Sequence, residues 1–148
     1  MHKTVNDIIA KKGSKKISVV TSYDYTIATL CDQVDILLVG DSAGMVMLGY
    51  ENTAPVTMDE MVLFTKAVSN GRENALIVAA LPNKSYENEA DAVANSERLI
   101  KAGADAVKLE GRLPDIIRAI IKAGIPVMGH LGLLPQTCLL YTSDAADE

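Results

Sequence analysis

Apolar runs that do not alternate constrain this chain more than any other feature. Residues 35–40 (DILLVG) carry consecutive apolar side chains, the pattern of a strand buried on both faces. Such strands belong to parallel sheets, where helices and core shield each side. The run stops abruptly at Gly40-Asp41-Ser42-Ala43-Gly44, so an acidic and a hydroxyl side chain stand just past the strand's carboxyl end. In parallel α/β proteins ligands bind at that end, because its loops vary freely above a rigid sheet. Asp41 is therefore the first candidate site residue.

The rest of the chain repeats the pattern. Thr4-Val-Asn-Asp predicts a capped helix over residues 5–12, stopped by Gly13. Residues 16–22 (KISVVTS) read as a β-branched strand and residues 24–33 as a helix. A long loop over 41–57 ends at Thr57-Met-Asp-Glu, a capping box that opens a helix through Asn70, with Gly71 closing it. Residues 74–80 form a third strand. A long helix over 85–102 follows, with acidic residues in its first turns and Gly103 at its end. Residues 104–109 form a fourth strand with Glu110 just past it, residues 114–123 a helix, and residues 125–130 a fifth strand ending in His130.

Successive βα units with short returns mean a parallel sheet. Two architectures satisfy this: a doubly wound open sheet, or the first part of a (β/α)8 barrel. No G-x-G-x-x-G follows the first strand, which weighs against a dinucleotide-binding sheet. A full barrel takes about 250 residues. With 148 residues, this chain reads as a TIM barrel truncated after about the fifth strand.

A hydrophobic content of 49% requires a packed core, and no apolar stretch reaches the roughly 20 residues that span a bilayer. The N-terminal segment lacks the apolar core of a signal peptide. Its paired lysines could suggest a basic patch, but the net charge of −5 and 4% aromatic residues argue against a nucleic-acid partner. Cys31 and Cys138 lack metal-ligand spacing, and Cys31 lies in an apolar helical stretch, as a core residue would. A reducing, cytoplasmic setting is expected.

The strand ends gather Tyr23, Asp24, Asp41, Ser42, Lys108, Glu110 and His130. Hard oxygen donors on separate strands suit Mg²⁺, which takes one or two carboxylates and fills its shell with water and substrate oxygens. Spacing alone leaves other readings open. An Asp after a strand also caps turns, Lys108 and Glu110 could form a rim ion pair, and His130 could be a hydrogen-bonded structural histidine.

Four segments carry more information: Val39-Gly-Asp-Ser-Ala-Gly-Met-Val, Pro55-Val-Thr-Met-Asp-Glu-Met, Ala106-Val-Lys-Leu-Glu-Gly and Gly129-His-Leu-Gly-Leu-Leu-Pro-Gln. In this order they resemble the ketopantoate hydroxymethyltransferase family, from about Thr4 to Thr137. The resemblance implies a (β/α)8 barrel of the phosphoenolpyruvate/pyruvate superfamily, assembled as a homo-oligomer and acting in pantothenate synthesis. It implies transfer of a one-carbon unit from 5,10-methylenetetrahydrofolate to the 2-oxo acid 3-methyl-2-oxobutanoate, giving 2-dehydropantoate. By the same resemblance Asp41 and Glu110 hold Mg²⁺, Asp41, Ser42 and Lys108 contact the oxo acid, and Tyr23 and His130 line the pocket. A Mg²⁺-dependent lyase or mutase of the same superfamily, and a non-catalytic half-barrel that associates with itself, are the competing readings.

The sequence departs from the family's pattern in two places. The third strand of the family ends Asp-Leu-Pro-Phe, its Asp a Mg²⁺ ligand and substrate contact, whereas this chain reads Ala80-Leu81-Pro82-Asn83. Residues 138–148 read as not continuing the pattern and resemble one reading frame of a transposase sequencing adapter. The expected division is thus residues 1–137 as the N-terminal part of one barrel domain and 138–148 as a non-native tail. The family's general base, a Glu of the second half-barrel, would then have no counterpart here, so no catalytic residue is assigned.

Overall fold

A computed structural model describes residues 2–137; the expectation for residues 138–148 lies outside them. The elements in order are α1 (Val5–Ile9), β1 (Val19–Thr21), α2 (Tyr25–Cys31), β2 (Ile36–Val39), α3 (Ala43–Leu48), α4 (Met58–Gly71), β3 (Leu76–Ala80), α5 (Glu89–Lys101), β4 (Ala106–Glu110), α6 (Pro114–Lys122) and β5 (Val127–His130). The five strands form one parallel sheet in the order β1-β2-β3-β4-β5. A doubly wound sheet reverses its strand order at a switch point. This one never reverses, so right-handed crossovers place successive helices on one face. That is barrel winding.

Side-chain parity then explains the continuous apolar runs. Leu37, Val39, Ile77, Ala79, Val107 and Leu109 face the helices and join Phe64, Val68, Leu99 and Ile120 in the main core. Ile36, Leu76, Val78 and Ala106 form a second cluster on the other, inner face, where Val5 and Ile8 of α1 pack against them. Burying one such Leu, Ile or Val contributes about 1.5–3 kcal/mol, so both faces must be apolar and alternation disappears. Cys31 packs half-buried against the main core, as an apolar residue would. Among the described residues no helix is long and apolar enough to cross a membrane.

The predicted loop over 41–57 is not all loop. It contains α3, closed by Gly49 in the left-handed region at φ 73°. Its buried side is made of Ala43 and Gly44, while Val46, Met47 and Leu48 are exposed. A Cβ on Gly44 would stand 2.4 Å from Val56 Cγ2, so the small residues mark a close approach and not a break. Boundaries also shift. Three residues, Val19–Thr21, make β1, and α1 ends at Ile9, with turns through Gly13. Helix α5 starts at Glu89, where Asn88 caps it by accepting from Asp91 N at 2.9 Å; Ser85 instead bonds Pro82 O. Glu110 is the last residue of β4, not a loop residue.

Gly71 does not stop α4 by backbone freedom. It is the last helical residue, and a Cβ there would lie 2.5 Å from Tyr25 O and 3.0 Å from Ala28 Cβ. Gly71 lets α4 rest on α2. A Gly71→Ala variant is expected to lose about 1–3 kcal/mol of stability through overpacking, read as a lower urea midpoint with unchanged slope.

Asp35 ties the segment before β1 to β2. Its carboxylate accepts from Lys11 Nζ and, at 3.0 and 3.2 Å, from Ser18 N and Oγ. The Lys11 bond, with Ser18 backing it, holds the carboxyl down at about 2. A depressed folded-state pKa contributes stability above the unfolded value near 4 and loses it as pH falls toward the folded value. Denaturation midpoints are therefore expected to drop between about pH 4 and pH 2, with a shallower drop in Asp35→Asn.

Candidate active site

The carboxyl ends of β2, β3, β4 and β5 converge on two buried carboxylates. Asp41 directly follows the strand residues of β2 and Gly40, and Glu110 ends β4; each is about nineteen-twentieths buried, at 6% and 5% exposure. Residue 136 joins them. Gln136 Nε2 donates to Asp41 Oδ2 at 2.7 Å, and Gln136 N donates to Glu110 Oε2 at 3.2 Å. Burial pushes the Asp41 carboxyl up; the Gln136 bond and the Lys108 charge pull it back, the Glu110 charge adds to the rise, and the net direction is upward.

Lys108 lies one pleat before Glu110 on the same face, with Nζ 3.5 Å from Glu110 Oε1. The two side chains are 16% and 4% exposed, so this ion pair sits inside the barrel mouth, not on a solvated rim. His130 pairs with Glu110 in the β4–β5 register and places Nδ1 3.1 Å from the same Oε1. Ala80 pairs in register with Lys108 and is 1% exposed, so a methyl group occupies this inner position.

Ser42 begins α3 without a side-chain cap bond; its Oγ is instead 2.7 Å from the Tyr23 hydroxyl. Strand ends thus bring together Asp41, Lys108, Glu110 and His130, with Tyr23 and Ser42 as an adjoining pair. Asp24 leaves the set. Its carboxylate caps α2 by accepting from Ile27 N at 2.8 Å, which is the turn-capping role.

Sequence reasoning missed Gln136 and Tyr86. Gln136 ends the segment Gly129-His-Leu-Gly-Leu-Leu-Pro-Gln, quoted above only as a pattern. Tyr86 follows β3; its hydroxyl donates to Gln136 Oε1, and burial, with the charges of Glu110 and Asp41, pushes the phenol up to about 12. A cavity of about 310 Å³ opens beside this group, lined by Tyr86, Glu110, Leu113, Ile116 and Leu134 among others.

Two buried carboxylates with one lysine between them form a hard-oxygen donor set that a small divalent cation suits. Among the described residues no group of three or more His, Cys, Asp and Glu side chains is disposed to hold a metal. The donor set fits a cation that draws most of its shell from water and substrate.

Comparison with known proteins bears on the fold and the family. Two solved structures share the fold at low identity: phosphonopyruvate hydrolase in complex with oxalate and Mg²⁺ (TM-score 0.69, 13% identity, 86% of this chain and 52% of that one). The other is 2,3-dimethylmalate lyase, a member of the PEP mutase/isocitrate lyase superfamily (TM-score 0.66, 17% identity, 87% of this chain and 51% of that one). Curated relatives are much nearer in sequence. The 3-methyl-2-oxobutanoate hydroxymethyltransferase of Nitrosopumilus maritimus is 64% identical over 146 residues, covering 95% of this chain and 52% of the relative. That of Cenarchaeum symbiosum is 62% identical over 132 residues, covering 87% and 50%. The chain therefore spans about half the length of the curated relatives it matches. The family profile of ketopantoate hydroxymethyltransferase matches residues 2–143. The profile match and the sequence similarity over most of the chain lead to one conclusion: the chain belongs to the ketopantoate hydroxymethyltransferase family.

Proposed function

We propose that this chain carries the metal- and oxo-acid-binding part of an enzyme that transfers a hydroxymethyl group from 5,10-methylenetetrahydrofolate to 3-methyl-2-oxobutanoate. The observation that supports this best is the pair of buried carboxylates, Asp41 and Glu110, held on one residue beside Lys108. Asp41 and Glu110 would hold Mg²⁺. When bound, the ion would act as a Lewis acid on the keto oxygen and make the C3 proton easier to remove.

The chain's own groups then have distinct tasks. The Lys108 ammonium, buried against Glu110, balances the negative charge of an incoming carboxylate. The Ser42 hydroxyl, oriented by Tyr23, offers the oxo acid a hydrogen bond. His130 fixes one oxygen of Glu110, leaving that carboxylate little freedom to turn away. Burial keeps bulk water from competing for these contacts. The same reading takes the folate as one-carbon donor, the cytoplasm as setting and a homo-oligomer as the assembled form.

A second reading, a half-barrel that binds without turnover, is favoured by the methyl group at Ala80 in place of a third carboxylate. Titrating the purified chain with 3-methyl-2-oxobutanoate, with and without Mg²⁺, and following C3 deuterium exchange by NMR tests the binding site and the base separately. Mg²⁺-dependent binding is expected, with exchange no faster than a buffer-plus-Mg²⁺ control. Absence of Mg²⁺-dependent binding by the folded chain sinks the proposed site. Exchange above the control shows that the chain supplies a working base.

A further inference from the structure

Gln136 makes more contacts at the site than any residue the sequence pointed to. It is 4% exposed, and every polar atom of its side chain is engaged. Nε2 donates to Asp41 Oδ2 at 2.7 Å and to Leu81 O at 2.9 Å, while Oε1 accepts from the Tyr86 hydroxyl. Its backbone N–H takes Glu110 Oε2 at 3.2 Å. The amide has one permissible orientation. Turned over, its oxygen would face a carboxylate and a carbonyl, and its NH₂ would face the phenol, with the Asp41 and Leu81 oxygens losing their donors.

These bonds reach the ends of three strands and the connection after β3. Asp41 follows β2, Leu81 follows β3, Glu110 ends β4, Tyr86 sits in the connection to α5, and Gln136 itself follows β5. A buried polar network that is fully satisfied rigidifies what it touches. Here it touches both carboxylates, yet the named bonds leave Asp41 Oδ1 untouched. At Glu110 the backbone N–H of Gln136 takes Oε2 while Lys108 and His130 meet Oε1, so the carboxylate is fixed from both sides. At Asp41 one oxygen is held and the other faces no named partner. Such outer contacts orient metal-binding side chains, and their loss weakens metal affinity about 10- to 100-fold.

We propose that Gln136 is a positioning residue that holds the Asp41 and Glu110 carboxylates at a fixed separation and angle for a divalent cation, with the Tyr86 hydroxyl locking its amide. This rests on the metal-binding reading above. It goes beyond it by placing the control of that site on the loop after β5. Gln136→Met keeps the length and the backbone N–H to Glu110 but removes the bond to Asp41. Tyr86→Phe removes only the hydroxyl that locks the amide.

Mn²⁺ serves as the probe, its binding to the full chain read by electron paramagnetic resonance and its folding by thermal melts. Gln136→Met is expected to bind Mn²⁺ about 10- to 100-fold more weakly and to melt lower than the parent while staying folded, since it leaves buried Asp41, Leu81 and Tyr86 groups unpaired. Tyr86→Phe is expected to weaken binding in the same direction by less. Unchanged Mn²⁺ affinity in a folded Gln136→Met chain overturns the proposal, since a purely structural staple would leave affinity alone. Side-chain amide exchange measured by NMR gives a readout without metal. Slow exchange of the Gln136 NH₂, lost in Tyr86→Phe, supports the clamp; exchange as fast as a surface glutamine overturns it. Failure of both the parent and Ala80→Asp to bind Mn²⁺ sinks the metal reading instead, and the amide exchange then decides whether the clamp stands.

Discussion

An Ala80→Asp variant is expected to bind Mg²⁺ about tenfold or more tightly than the parent chain, and to melt at a lower temperature than the parent when no metal is added. Both effects have one cause. Position 80 lies in register with Lys108 on the inner face and is closed to solvent. A third carboxylate placed there joins Asp41 and Glu110, whose charges already oppose one another across the site. With only Lys108 to balance three negative charges, the folded state loses stability. A divalent cation reverses the balance, because each added carboxylate raises the charge it meets. Melting curves across a Mg²⁺ series provide the check: the variant's midpoint should climb steeply and overtake the parent's, whose midpoint should move little. Parallel curves for the two chains would show that position 80 does not face the ion.

Asp32→Ala is expected to remove about 3–5 kcal/mol, a large part of the 5–15 kcal/mol that stabilises an ordinary domain. Asp32 follows α2 and is 5% exposed. Its carboxylate accepts from Ala75 N at 3.0 Å, Asn74 N at 2.8 Å, Asn74 Nδ2 at 2.7 Å and Glu73 N at 3.1 Å. Burial works to raise this carboxyl, but the bonds from Ala75, Asn74 and Glu73 outweigh it and hold it below its ordinary value. Removing the side chain strands backbone N–H groups at the entrance to β3, where sheet pairing gives them no other acceptor. Asp32→Asn should be nearly as damaging, since its NH₂ would point at donors. Urea denaturation measures both, and a loss under about 1 kcal/mol in either would show that water replaces the carboxylate.

Asp32 also shows what a linear reading of this chain leaves out. Within DYTIATLCDQ it looks like any polar residue near a helix end, and its partners lie 41 to 43 residues away. Gln136 is hidden for the same reason, being 95 residues from Asp41. Asp41, Lys108, Glu110 and His130 were legible because each breaks or ends an apolar strand, and strand ends are where a parallel sheet exposes its chemistry. Strand existence was legible for the same reason, while strand length was not. Ile17 matches the β-branched pattern, but on that side of β2 the paired residues are Val19–Thr21 alone. Helix α3 escaped because its pattern is inverted: alanine and glycine face inward and the large apolar residues outward.

The bond from Gln136 to Asp41 imposes an order on synthesis. A chain made from its N-terminus exposes β1, β2 and β3 to one another long before residue 136 leaves the ribosome, and units fold as they emerge. During that interval the Asp41 carboxylate has no Gln136 and no Lys108 beside it, and it stays hydrated at the open lip of a growing sheet. Arrival of β4 brings the lysine, and the turn after β5 brings the amide that draws the carboxylate out of water. Nascent chains halted before and after Gln136 should therefore differ little in how well β2 resists proteolysis and greatly in whether a cation is retained. Translation, on this view, lays down these five strands before it supplies the amide that engages Asp41.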